Sequence, residues 1–151
     1  MNGNGKIELP GNIEHVFNKL LDPEVLQNCI MGCKHLEQID ESTYKAELSV
    51  GIAAVKGKYD ATIILKDVEQ PNHYKLVVKG EGSPGFVNAE GAINLTAMDD
   101  QNTLLKYSYT ANVGGKVASI GQRMLGGVAK LIISDFFKRA KKELSKIHHS
   151  A

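Results

Sequence analysis

Residues 114–147 read GGKVASIGQRMLGGVAKLIISDFFKRAKKELSKI, and the fold turns on this stretch. Val117, Ile120, Met124, Val128 and Leu131, with Leu125, Ile132 and Phe136, recur at spacings of three and four, the mark of an amphipathic helix. Lys130, Lys138, Arg139, Lys141 and Lys142 lie mostly off that stripe, as solvent-facing charges do. Read as one helix, the stretch is roughly 45–50 Å long and crosses a whole domain. Gly121, Gly126 and Gly127 interrupt its first half, and each glycine inside a helix costs about 1 kcal/mol against alanine. Three readings follow: the glycines let a strand approach, bend the helix, or leave room for a ligand.

Upstream, the pattern supplies what such a helix would cover. Residues 3–9 alternate, with Ile7 and Leu9 on one side and Lys6 and Glu8 on the other, which predicts a half-buried strand. Asn12 is placed to cap a helix with Val16, Phe17, Leu20 and Leu21 on one face. Asp22-Pro23-Glu24 starts a second: Asp22 caps, Pro23 fits the first helical position, and Glu24 suits the positive end of the dipole. Val25, Leu26 and Ile30 give its apolar side, and Gly32 closes it. From Cys33 to Val113 the period is two. Strands are predicted at residues 35–39, 44–52, 59–65, 74–78, 87–95 and 105–113, with residues 80–85 read as a loop or as an edge strand broken by a bulge. Strands joined by short turns are antiparallel neighbours. An antiparallel sheet with one apolar face needs a cover, and the terminal helix is large enough. The class is α+β: a curved antiparallel sheet of about seven strands wrapped around a long C-terminal helix, with two short helices after the first strand, a helix-grip fold. Residues 1–151 read as a single ligand-binding domain, with residues 148–151 a frayed tail.

Composition narrows the function. The chain has 151 residues, 42% of them hydrophobic, enough for one sizeable core. Net charge is +1 and arginine occurs only at 123 and 139, which argues against a nucleic-acid partner. No apolar run is long enough to span a membrane, and the N-terminus does not resemble a signal peptide. Two cysteines, Cys29 and Cys33, are too few for a disulfide framework and read as small buried residues or a weak thiol or metal pair. His15, His35, His73, His148 and His149 fall in no zinc motif, so neither metal nor cofactor is expected. Gly114-Gly115-Lys116 lacks the rest of a phosphate loop and reads as a turn, with free N–H groups left for a ligand oxygen.

Several stretches together resemble the G-subunit family of carbon monoxide dehydrogenase, within the START-like, or polyketide-cyclase-like, superfamily. They are Asp22-Pro23-Glu24-Val25-Leu26, Cys29-Ile30-Met31-Gly32-Cys33, Val55-Lys56-Gly57-Lys58-Tyr59, Gly80-Glu81-Gly82 with Gly85-Phe86, and Val113-Gly114-Gly115-Lys116-Val117-Ala118 leading to Gly121. The resemblance implies an apolar cavity between sheet and helix. It also implies a non-catalytic accessory role beside molybdenum hydroxylases of the carbon monoxide dehydrogenase type, in maturation or membrane recruitment, and binding of a lipophilic molecule such as a quinone or lipid. Members often carry Pro where Met31 stands and an apolar C-terminal extension. Since this chain stops at Ala151, a soluble carrier is expected here. The implied location is the cytoplasm, with peripheral contact at the inner face of the membrane.

Period-two alternation shows burial and not an empty space, so the cavity itself rests on the resemblance. Its expected lining is Leu26, Ile30 and Met31 at an entrance; Leu48, Val50, Ile52, Tyr59, Ile63, Phe86, Ala89, Tyr107 and Tyr109 from the sheet; and Val117, Ile120, Gly121, Met124, Leu125 and Val128 from the helix. Tyr59, Tyr107 and Tyr109 read either as polar points in a pocket or as rings whose hydroxyls reach water. For an enzyme of the cyclase or dehydratase type, Glu81, Glu90 and Asp60 are the nearest acids, and the strand phase turns Glu90 and Asp60 outward.

Overall fold

The computed structural model describes residues 1–149, with side chains described through Lys146. Strand β1 (Asn2–Pro10) is followed by helices α1 (Ile13–Leu20) and α2 (Pro23–Cys29). Six strands come next: β2 (Cys33–Asp40), β3 (Thr43–Val50), β4 (Gly57–Glu69), β5 (His73–Gly82), β6 (Gly85–Asp99) and β7 (Asn102–Gly114). They form one seven-stranded sheet in the order β1-β7-β6-β5-β4-β3-β2, every pairing antiparallel. Helix α3 (Gln122–His149) closes the described chain. This is the expected α+β helix-grip order.

Both short helices begin as their sequences dictate. The Asn12 side chain accepts from the His15 N–H at 2.9 Å, and the Asp22 side chain from the Glu24 N–H at 2.9 Å. Each cap supplies a partner to an otherwise orphaned donor. At the other end of β1, Gly3 and Gly5 make room for the rings of Tyr109 and Tyr107, their register partners. A Cβ at Gly5 would fall 2.6 Å from the Tyr107 hydroxyl oxygen, and one at Gly3 2.6 Å from the Tyr109 ring.

The terminal stretch departs from a single helix starting at Gly114. β7 runs to Gly114, a 3₁₀ turn occupies Lys116–Ile120, and α3 begins only at Gln122. Gly115 (φ 80°) and Gly121 (φ 91°) hold left-handed backbone on either side of the turn, conformations that only glycine adopts cheaply. The 28 residues of α3 span about 42 Å. Its buried face is also rotated from the expected stripe. Leu125, Phe137, Ala140 and Leu144 are buried, with Ile133 and Phe136 packed on the core, whereas Met124 and Leu131 are 55% and 51% exposed. The helix is described through His149; of the tail read as residues 148–151, Ser150 and Ala151 lie outside the described residues.

Two further expectations change. Residues 80–85 are neither loop nor edge: β5 and β6 continue to a Gly82–Gly85 pair linked by Ser83-Pro84, in the middle of the sheet. Gly85 is required there, because a Cβ would collide with the Gly114 carbonyl. β3 ends at Val50, and Ile52 leads into a 3₁₀ turn at Ala53–Val55. The core gathers where α1, α2 and the second half of α3 meet the sheet, around Leu9, Val16, Phe17, Leu26, Tyr44, Leu105 and Leu144.

Candidate functional site

Cross-strand register sorts the sheet into two faces. Tyr44, Ile63, Val78, Ala89 and Ala111 form one row across β3 to β7 on the inner face, and Leu65, Leu76, Gly91 and Tyr109 the next. Between these rows and the helices lies a cavity of about 180 Å³. Leu20, Leu21, Leu26 and Ile30 line it from the α1–α2 region, Phe136 and Phe137 from α3, and Tyr44, Ile63, Leu65, Tyr74, Leu76, Val78, Ile93 and Leu105 from the sheet. Apart from two phenols, the lining side chains are all hydrocarbon.

Those phenols differ. The Tyr44 hydroxyl donates to the Leu21 carbonyl oxygen at 2.6 Å, which ties β3 to the end of α1. Burial, and then the charge of Asp22, pushes its pKa up. Tyr74 is 4% exposed and sets its ring edge-on to Phe17, centroids 5.8 Å apart. Burial first, then its neighbour Tyr44, pushes its pKa up as well. Both remain neutral phenols at physiological pH, and each offers an oxygen in an apolar wall.

Toward the two 3₁₀ turns, the inner face is small: Ala46, Ala61 and Gly80 share a row, and Ala89 and Ala111 are neighbours. Gly126 lies seven, eleven, fourteen and eighteen residues before Ile133, Phe137, Ala140 and Leu144, so it continues their line along α3. A Cβ at Gly126, Gly127 or Gly121 would meet nothing within 4 Å. Here the core-facing stripe of the helix is left bare above a floor of small residues. Of the three readings of these glycines, close approach of a strand is excluded. Leu48, Val50, Tyr59, Val87 and Val113 along this stretch are only half-buried, so the inner face is an open groove here.

The residues expected to line the site are therefore spread out. Leu26, Ile30 and Ile63 line the cavity. Leu48, Val50, Tyr59, Ala89 and Tyr109 stand on the same inner face, in or beside the groove. Ile52, Val117, Ile120 and Gly121 belong to the 3₁₀ turns and their ends, with Val117 buried. Leu125 is buried, Met31 and Val128 are half-buried, and Met124 points outward. Phe86 stands on the outer face, between inward Gly85 and Val87, and covers Gly114 there. Tyr59 donates to the Val55 carbonyl oxygen at 2.5 Å, and Tyr107 packs on Phe137 with centroids 5.6 Å apart. These tyrosines thus brace the fold, while the polar points of the cavity are Tyr44 and Tyr74.

Other candidate groups are accounted for locally. The Val117 N–H donates to the Pro84 carbonyl oxygen at 2.9 Å and the Ala118 N–H to that of Gly115 at 3.1 Å, so the two donors that follow the Gly114–Lys116 stretch are spent. Cys29 is fully buried, and burial, then the charge of Glu143, pushes its thiol up to about 11. Cys33 is half-buried; burial raises its pKa too, and its Sγ donates to the His35 carbonyl oxygen at 3.5 Å. Among the described residues no group of three or more His, Cys, Asp and Glu side chains could hold a metal ion. No helix among them is long and apolar enough to cross a membrane.

A larger concavity, about 650 Å³, lies on the outer face of the sheet. Its lining includes His35, Glu37, Lys45, Glu47, Asp60, Lys79, Glu81 and Phe86. It is a charged saddle open to water, suited to macromolecular contact and not to an apolar ligand. Glu81, Asp60 and Glu90 are all exposed, on strand positions that alternate with the inner face.

Comparison with known proteins places this geometry. The family model described as the carbon monoxide dehydrogenase G subunit (CoxG) matches residues 5–145. A conserved protein from Geobacillus kaustophilus has a solved structure 65% identical over 97% of this chain and 96% of its own, with a TM-score of 0.93. A START superfamily protein from Mycobacterium smegmatis shares the fold at 10% identity, with a TM-score of 0.77 over 97% of this chain and 98% of that one. The ZhuI aromatase/cyclase from Streptomyces sp. R1128 does so at 11% identity, with a TM-score of 0.68 over 97% and 94%. No curated protein matches the chain significantly.

Proposed function

The chain belongs to the CoxG family, that of the carbon monoxide dehydrogenase G subunit, and on that premise we propose that it binds a lipophilic or aromatic small molecule between its sheet and α3. The observation that carries this reading is the cavity of about 180 Å³ walled by hydrocarbon side chains and two neutral phenols. Ligand sites commonly measure about 300–1,000 Å³ and combine apolar walls with a few polar groups. The cavity alone holds one ring system or a short chain. A longer molecule extends into the groove under Gly126, where small residues and a bare helix leave space. Quinones and lipids have this shape. A carbonyl oxygen would accept from a phenol, and Tyr74 is the donor left for it, because Tyr44 already serves Leu21. Apolar burial supplies the affinity at about 25 cal/mol per Å² before association costs.

Binding is preferred to catalysis because no carboxylate, imidazole or amine lines the cavity, and acid–base chemistry needs such a group within hydrogen-bond reach. The test is fluorescence titration with phenylnaphthylamine, comparing the native protein with Ile63→Trp, which fills the cavity floor. Saturable binding lost in the folded variant supports the reading. Equal binding by both proteins overturns it.

A second reading, docking on a molybdenum hydroxylase of the carbon monoxide dehydrogenase type, has the outer saddle in its favour. Glu47, Asp60 and Glu81 stand directly opposite one another across β3, β4 and β5. Like charges so placed disfavour the sheet, and a cationic partner surface would relieve them. Pull-down of purified hydroxylase subunits, lost on Asp60→Lys, tests this reading separately.

A further inference from the structure

We propose that β1 is a self-association edge: two copies of the chain pair their β1 strands antiparallel about a two-fold axis at Ile7 and join their sheets into one. The strand order leaves two edges, β1 and β2, and they are built differently. β2 meets β3 with register shifts between Cys33 and His35 and between Gln38 and Asp40. Irregularities of this kind turn an edge away from further pairing. β1 holds one unbroken register against β7 from Asn2 to Pro10. A regular edge strand is a template for another strand.

The backbone phase decides which groups are on offer. The Met1 amine donates to the Ala111 carbonyl oxygen at 3.0 Å, and the Ala111 N–H donates back to that of Met1 at 2.8 Å. At the other end of the strand the Gly11 N–H donates to the Gln101 carbonyl oxygen at 2.7 Å. Hydrogen-bonded pairs alternate along an antiparallel ladder. The odd-numbered residues of β1 therefore face β7, and Asn2, Asn4, Lys6 and Glu8 turn their N–H and C=O groups to the free edge. These four are also the exposed residues of the strand.

The side chains select the occupant. With Ile7 on the axis, Lys6 of each copy stands directly opposite Glu8 of the other, and each such pair exchanges both outward backbone hydrogen bonds. Within its own chain Lys6 has Lys106 as its register partner on β7, a like-charge pair of the kind that disfavours a sheet. Among the described residues neither Lys6 nor Glu8 forms an ion pair. Glu8 of the second copy supplies the missing partner, and the symmetry does so at both ends of the contact. A two-fold contact closes on itself, and the irregular β2 edge gives a third copy no regular strand to extend, so association stops at the dimer. The same axis keeps the two inner faces on one side of the joined sheet, where half-buried Ile7 meets its symmetry mate. The ligand-binding reading does not enter this argument.

Sedimentation equilibrium over a concentration series tests the proposal with native protein, Lys6→Glu, Glu8→Lys and Lys6→Glu/Glu8→Lys. The native protein should show a monomer–dimer equilibrium. Each single variant sets like charges opposite one another at both pairs and should weaken dimerisation about tenfold or more. The double variant restores both pairs and should dimerise like the native protein. An equimolar mixture of the two single variants should also dimerise, because their charges at positions 6 and 8 are complementary. Lys6→Pro removes only an outward N–H and should give a monomer with unchanged far-UV circular dichroism; the charge exchange carries the test even where that variant does not fold. Four results would each overturn the proposal: a native protein still monomeric at about 1 mM, single variants that dimerise as tightly as native, a double variant that fails to recover, or a dimer dispersed by Met124→Ser/Leu131→Ser with Lys6 and Glu8 intact.

Discussion

Replacing Gly126 by leucine separates a bare helix over a ligand groove from a helix pressed against its neighbours. A Cβ at Gly126 meets nothing within 4 Å, and the position continues the buried line of Ile133, Phe137, Ala140 and Leu144. The free protein should therefore gain stability from the change. Leucine in place of a helical glycine contributes about 0.8 kcal/mol through propensity. Burying half of its side chain contributes about 1 kcal/mol more. Together, about 2 kcal/mol should raise Tm by roughly 4–8 °C in a domain of this size. Phenylnaphthylamine is larger than the cavity alone and must use the groove. Its affinity should fall at least about tenfold, or about 1.4 kcal/mol. Thermal unfolding followed by far-UV circular dichroism gives the first quantity and fluorescence titration the second. A lower Tm would mean that the groove is filled, and unchanged affinity in a folded Gly126→Leu protein would refute the groove as part of the site.

Other consequences are independent of the ligand. Leu144 is 1% exposed, so Leu144→Ala should cost about 3–5 kcal/mol in urea unfolding. The Thr103 hydroxyl is buried and donates to the Gly11 carbonyl oxygen at 2.9 Å; Thr103→Val should cost about 1–3 kcal/mol by leaving that acceptor unpaired. Tyr74 and Tyr44 have pKa values raised by burial. In the unfolded chain they lose protons near pH 10, so the folded state binds more protons above that point. Stability from this source is intact below about pH 10 and declines as pH rises toward the folded values; Tyr74→Phe should flatten that decline in pH-dependent melts. Cys33 should react with iodoacetamide before Cys29, whose thiol is fully buried with a pKa of about 11; mass mapping of brief labelling at neutral pH checks the order.

The sheet is legible in the sequence because alternation along each strand is a local property. Tyr44, Ala46 and Leu48 against Lys45 and Glu47 announce which side is inward, and the observed register agrees. The caps at Asn12 and Asp22 are equally legible, since each needs only the side chain and the next few residues. Depth along the strand is not. Leu76, Val78 and Ile93 alternate just as Leu48 and Val50 do, yet only the former line the cavity, because level is set by where α1 and α2 pack. The phase of α3 is also hidden. Its sequence offers two apolar lines, one through Met124 and Leu131 and one through Ile133, Phe137 and Leu144, and spacing favours neither. The sheet takes the second, where Ala140 allows close approach. Gly121 reads as a glycine within a helix, since sequence does not display the positive φ that breaks the chain there.

A methyl-resolved NMR titration with menadione, a compact quinone, tests the ligand cavity most directly. Binding between sheet and helices should shift the methyls of Leu26, Ile63, Leu76 and Ile93, which line the cavity from α2, β4, β5 and β6. The methyl of exposed Ile39, near the far end of β2, should stay in place. Saturable shifts at that inner set are the expected result. Shifts confined to residues outside the cavity, or none at saturating quinone, would contradict it.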